Sequence, residues 1–118
     1  MKILVVEDDV YRLDWFRDKF KNQELSTVMT ADEAITLLSK SLDYEIIFLD
    51  HDLGGRVFVN SSEHNTGFTV AMYLKNKDYK NRIIVHSLNP VGAKNIKNIL
   101  PQAELVPYPV LINVLKVT

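Results

Sequence analysis

The 118-residue sequence predicts an α/β fold: a doubly wound five-stranded parallel sheet with helices on both faces and strand order 2-1-3-4-5. Three observations predict it. Short apolar runs at residues 3–6 (ILVV), 46–49 (IIFL) and 83–85 (IIV) are continuous rather than alternating, as strands are when helices cover both faces. Between these runs the apolar residues recur at three- and four-residue steps, as on one face of a helix. No linker-like stretch interrupts the alternation, so residues 1–118 read as one domain. A chain of this length buries roughly two thirds of its unfolded surface, enough for a core without staples.

The first strand is the 3–6 run, and Val10, Leu13, Phe16 and Phe20 then form the stripe of a first helix, with Trp15 packing at its border. A weaker run at 27–30 falls where a second strand is needed. Thr30 followed by Glu33 makes a capping box that opens a second helix through Ala34, Leu37 and Leu38. After the 46–49 strand, a helix from Thr66 to about Asn76 fills the gap before 83–85. Asn89 and Pro90 are an N-cap and a first helical residue, with Ala93, Ile96, Ile99 and Leu100 as the stripe behind them. Residues 103–106 supply a fifth strand. The apolar tail at 109–118 suits a short helix and an edge strand equally well. Either form needs covering, which a homodimer through the tail would provide.

Hydrophobic residues at 47% and charged residues at 25% are ordinary for a globular protein. The net charge of -1 gives no long-range attraction for a nucleic-acid duplex or an acidic membrane surface, so an anionic ligand has to be met locally. There is no cysteine, no apolar run of membrane-spanning length and no signal-peptide pattern, and the expected compartment is the cytoplasm.

In open parallel sheets, ligands sit beyond the carboxyl ends of the strands, where the winding direction reverses. Glu7, Asp8 and Asp9 follow the first strand, Asp50, His51 and Asp52 the third, and His86, Ser87 and Asn89 the fourth, so three groups distant in sequence become neighbours. Crowded carboxylates repel, and a divalent cation would compensate them. Oxygen ligands favour magnesium, manganese or calcium, whereas an inward His51 or His86 shifts the balance toward manganese, zinc or iron. Such a metal leaves positions open for phosphate oxygens. Ser87 and the amides at the start of the helix after Asn89 could donate to the same phosphate.

Each residue also has a plainer reading. Aspartates favour turns and N-caps. His86 could be a core histidine bonded to backbone, and His51 alternates with Asp50 across the strand and so can face the other side of the sheet. Arg12 could pair with Asp8 or Asp9 instead of a phosphate. The 54–65 loop is long enough to be functional. It carries Arg56 and His64, of which Arg56 is the better candidate for meeting a phosphoester and His64 reads as solvated.

The segments ILVVEDD, FLDHDLGG and IIVHS resemble the opening, phosphoacceptor and switch strands of response-regulator receiver domains, over nearly the whole chain. That resemblance implies Glu7 and Asp8 as the acidic pair for magnesium, Asp50 as the phosphorylated aspartate and Ser87 as the hydroxyl residue. Where a receiver has a lysine before a proline, this chain has Val106 in LVPYP. The combination LDHDLG, TG and HSLNPVG is more similar to the cyclic-phosphate-processing receiver-like domains. That likeness implies functional roles for Asp8, Asp9, Arg12, Asp50, His51, Asp52, His86 and Asn89. Taken with the strand-end, receiver and loop readings, the expected site is a metal centre of Glu7, Asp8, Asp9, Asp50 and Asp52 holding magnesium or manganese, with Asp50, His51, His86 and Asn89 catalytic and Arg12, Ser87 and Arg56 on phosphate. Three functions are compatible with these residues: a metal-dependent phosphoesterase of cyclic phosphates, a receiver phosphorylated on Asp50 by a histidine kinase, and a non-catalytic interaction domain using its tail.

Overall fold

The computed structural model describes residues 1–115. The elements run in the order β1 (Lys2–Val6), α1 (Val10–Lys19), β2 (Glu24–Val28), α2 (Ala31–Lys40), β3 (Ile46–Leu49), α3 (Gly67–Asn76), β4 (Arg82–Val85), α4 (Pro90–Ile99), β5 (Glu104–Leu105) and α5 (Tyr108–Leu115). The five strands are all parallel, in the order β2-β1-β3-β4-β5. The expected fold class and strand order are therefore those observed.

The register determines which residues meet at the strand ends. Val6 lies beside Leu49 and Leu49 beside Val85, and the ladder continues one step further through Asp50 N–H to the Val6 carbonyl (3.0 Å) and His86 N–H to the Leu49 carbonyl (3.2 Å). Side chains alternate across a strand. Ile3, Val5, Phe48 and Ile84 accordingly pack with Leu13 and Phe16 of α1 and Leu111 of α5, whereas Leu4, Val6, Ile47, Leu49, Ile83 and Val85 pack under α2, α3 and α4. Each face is sealed by its own helices, which is why the central strands carry apolar residues at every position.

Local signals set the helix starts. Thr30 Oγ1 accepts from Glu33 N–H at 3.1 Å, and the Glu33 carboxylate reaches back to Met29 N–H and to the Thr30 hydroxyl. Thr30→Ala is expected to cost about 1 kcal/mol, measured by urea unfolding, with no change in denaturant dependence. Asn89 Oδ1 caps α4 by accepting from Gly92 N–H at 2.9 Å. At the start of α3, Gly67 N–H donates to the His51 carbonyl, and a Cβ on Gly67 would lie 2.0 Å from the Asp50 carbonyl oxygen. Only glycine lets α3 approach the end of β3 so closely.

Three expectations are corrected. The second strand is Glu24–Val28 rather than 27–30: it is an edge strand with one buried residue, so no apolar run marks it, and Thr30 is occupied as a cap. The fifth strand is the two-residue Glu104–Leu105, although Val106 N–H still bonds the Val85 carbonyl. Val10 is 60% exposed instead of facing the core, and the buried residues of α1 are Leu13 and Phe16. Of the two forms open to the tail it takes the helix, with Leu111 buried and Val110 and Val114 exposed, and residues 116–118 lie outside the described part. No helix among the described residues is long and apolar enough to cross a membrane.

Candidate metal and phosphate site

The alternation that splits the core also sorts the charged residues after the strands. Glu7, Asp50 and His86 continue the face of Val5, Phe48 and Ile84, and all three are buried. Their donor atoms lie within 4.8 Å of one another. His86 Nε2 is 2.8 Å from Glu7 Oε1, and the other Glu7 oxygen accepts the N–H groups of Asp8 and Asp9, each at 3.0 Å. Arg12 reaches over from α1, with its guanidinium 3.7 Å from Glu7 and 4.0 Å from Asp50. The Tyr108 ring supports that guanidinium from the α5 side at 5.1 Å. Val106 is packed into the apolar cluster on this face, so the cation facing the acidic group comes from α1.

Burial and the Glu7 charge push Asp50 up to about 8. Burial raises Glu7 as well, but the hydrogen bond from His86, with the Asp9 N–H and the Arg12 charge, more than offsets this and holds it below the usual carboxylate range. Asp8 is raised by burial, with the Glu7 charge adding to it, while Gly55 N–H donates to its Oδ2 at 2.5 Å. A group of carboxyls in which one resists ionisation is the arrangement a divalent cation relieves.

The donor set fits such a cation. Glu7, Asp8 and Asp50 present oxygens of the kind magnesium and manganese take. His86 fits less well as a ligand. Its Nδ1 is buried without a hydrogen-bond partner, and metal on Nε2 would force the proton onto that orphaned nitrogen. With Nε2–H donating to Glu7, the unpaired atom is only a lone pair.

A cavity of about 440 Å³ opens above this group. Of the residues singled out from sequence, Glu7, Asp8, Asp9, Arg12, Asp50, Asp52 and Arg56 line it, and His51, His86, Ser87 and Asn89 do not. Asp9 caps α1 through Oδ1, which accepts from Tyr11 and Arg12 N–H at 2.9 and 3.0 Å. Ser87 Oγ accepts Asn89 N–H at 3.0 Å. Arg56 forms an exposed ion pair with Glu63 at 2.7 Å.

His51 and Asn89 belong to a second network, on the α4 side of the sheet. His51 Nδ1 meets Asp52 Oδ1 at 2.9 Å and Nε2 meets Ser61 Oγ at 2.8 Å, while Asn95 donates to the same Ser61 at 2.9 Å. Asn89 Nδ2 donates to Asp52 Oδ1 (3.0 Å) and to the Val59 carbonyl (3.3 Å). Asp52 also accepts the N–H groups of Phe58 (2.7 Å) and Val59 (3.2 Å). Burial pushes Asp52 up, but these donors outweigh it and leave it below its ordinary value. Gly92 makes room for the ring: a Cβ there would lie 2.4 Å from His51 Cγ. An antiparallel bridge between Asp52 and Thr66 closes the loop at its base. The network fixes the 54–65 loop so that its tip forms one wall of the cavity. Sequence reasoning missed Ser61 and Asn95, and also the apolar rim of Val10, Tyr11, Val57, Phe58 and Leu88. The signal available for Tyr11 was an aromatic residue off the helix stripe.

The sheet order, the acidic strand-end group and the helices on both faces define a receiver-like domain of the response-regulator type. Within that class, the chain belongs to the family described as Cyclic-phosphate processing Receiver domain, whose model matches residues 3–102. Among solved structures, it is similar to the signal receiver domain of a putative Luxo repressor protein from Vibrio parahaemolyticus, at 19% identity and TM-score 0.73, over 98% of this chain and 84% of that one. It is also similar to the response regulator TrrA from Thermotoga maritima, solved in complex with Mg(2+)-BeF, at 19% identity and TM-score 0.71, over 98% and 94% of the two chains. A third is the Mn(2+)-bound form of response regulator Rcp1, at 19% identity and TM-score 0.66, over 98% and 86%. No curated protein matches the chain.

Proposed function

We propose that the chain is a divalent-metal-dependent phosphoesterase that opens cyclic phosphates. The observation that carries this reading is the placing of Arg12 against buried Glu7 and Asp50 at the floor of one cavity, an anion-binding cation beside a set of oxygen donors. Glu7, Asp8 and Asp50 hold magnesium or manganese. The bound cation supplies charge stabilisation at phosphorus and a more acidic water. Arg12, braced by Tyr108, takes the non-bridging phosphate oxygens, with Arg56 at the cavity wall as a second anion contact. His86 is a positioning residue: it lies behind Glu7 and fixes that carboxylate. His51 and Asn89 likewise act through Asp52 by holding the loop. Water adds to phosphorus, one ring P–O bond breaks, and the released alkoxide takes a proton, giving a phosphomonoester.

The test is hydrolysis of 2′,3′- and 3′,5′-cyclic phosphates with magnesium or manganese. Turnover is expected to need the metal and to fall at least tenfold in Asp8→Ala. Unchanged turnover in that variant, or none with either metal, overturns the reading.

One observation favours a second reading. Asp50 lines the open cavity with Arg12 at 4.0 Å, the placement a phosphoacceptor for a histidine kinase would need. A rapid mass gain with a small phosphodonor, lost in Asp50→Asn, would support it.

A further inference from the structure

Among the described residues, five of the twelve large hydrophobic side chains that stand exposed, Val10, Tyr11, Val57, Phe58 and Leu88, line the single cavity above the acidic group. Exposed apolar residues scattered one at a time need no explanation, but a rim of them around a charged floor does. Two are aromatic, one from α1 and one from the 54–65 loop. Tyr11 stands in the first turn of α1 and is 83% exposed, on a backbone held by Asp9. Phe58 stands at the loop tip and is 72% exposed.

Phe58 is also held in a costly conformation. Its φ is +52°, in the left-handed region that a bulky L-residue rarely enters. Asp52 pins it there by accepting its N–H, and His51 and Asn89 hold Asp52 in turn. Val59, the next residue, is buried and anchored by Asn89, so the chain turns inward directly after Phe58 and leaves that ring projecting. A loop built only to cover the sheet would bury the ring. A buried polar network that presents it beside a floor carrying Arg12 and carboxylates fits a ligand with a flat apolar part next to its phosphate.

We infer that Tyr11 and Phe58 form a stacking rim for a nucleobase, so that the substrate class is nucleoside cyclic phosphates rather than cyclic phosphates of polyols. This rests on the phosphate-site reading above and adds the specificity to it. Aromatic faces stack any base, so discrimination between base-bearing and base-free phosphates is expected to be strong and discrimination among bases weak.

Calorimetric binding to the full chain with magnesium separates the possibilities without requiring turnover. The probes are adenosine 3′-phosphate and glycerol 1-phosphate. The nucleotide is expected to bind about tenfold more tightly, and Phe58→Ser and Tyr11→Ser each to remove most of that advantage while leaving glycerol phosphate unchanged. Both side chains are exposed, so the variants should keep their melting temperature within a few degrees. Equal affinity for the two probes, or a nucleotide affinity untouched in Phe58→Ser, overturns the inference. Failure of hydrolysis is a separate result: base discrimination without turnover leaves the rim standing and removes the phosphoesterase, whereas turnover without discrimination does the reverse.

Discussion

Replacing His86 by alanine is expected to cost about 3–5 kcal/mol of folding stability at neutral pH, read from urea unfolding. The imidazole and the Glu7 carboxylate are both inaccessible to solvent and 2.8 Å apart. Removing the ring leaves a buried carboxylate with only the more distant Arg12 at 3.7 Å to compensate it. It also opens a void where the ring packs edge-on against Phe16, with centroids 5.2 Å apart. The double variant Glu7→Met, His86→Leu is expected to recover most of the loss, because exchanging a whole buried pair for apolar residues is far milder than breaking it. A loss below about 1 kcal/mol in His86→Ala would mean that Glu7 finds water, and the closed floor of the site would have to be abandoned.

The fold was legible because its central strands are buried on both faces and announce themselves as unbroken apolar runs at 3–6, 46–49 and 83–85. Edge strands carry no such mark. Glu24, Leu25, Ser26 and Thr27 have one covered face at most, so β2 is visible only through its pairing with Lys2, Ile3, Leu4 and Val5. Thr30 misled for a related reason, since a β-branched residue suits a strand end and an N-cap alike, and the reciprocal bonds with Glu33 decided for the cap.

The site was legible as a region but not as an arrangement. Topology places the ends of β1, β3 and β4 together, and that comes from strand order alone. Which residues meet depends on register to a single residue. Once Val6, Leu49 and Val85 are level, the period of two sends Glu7, Asp50 and His86 to one side of the sheet and His51 to the other. The histidine adjacent to Asp50 in sequence therefore serves the loop, and the one 36 positions away meets the acidic group. Ser61 and Asn95 were illegible because they matter only through contacts with His51 that no local pattern encodes.

Asp50→Asn is expected to stabilise the metal-free protein and to destabilise it relative to wild type when metal is present. Burial and the Glu7 charge raise the Asp50 carboxyl from 3.8 to about 8, so between these values the folded chain holds a proton that the unfolded chain has released. A raised carboxyl contributes its full stability below about pH 4 and loses it as pH climbs through 8. In the presence of a chelator, the variant and wild type should therefore unfold together near pH 4, and the variant should become the more stable by on the order of 3 kcal/mol near pH 8. Asparagine keeps the shape and hydrogen-bonding capacity of the side chain without the charge, and so isolates that cost. Excess magnesium or manganese should invert the order. A cation held at a thousand times its dissociation constant adds about 4.1 kcal/mol to wild type, roughly 15 °C in a domain of this size, and little to a variant that lacks a central ligand. The reversal requires that the group suffering from its neighbours' charge in the free protein be the group that holds the ion. A variant that is less stable at pH 8 in chelator, or that keeps the full metal response, would separate those two roles and move the cation away from Asp50.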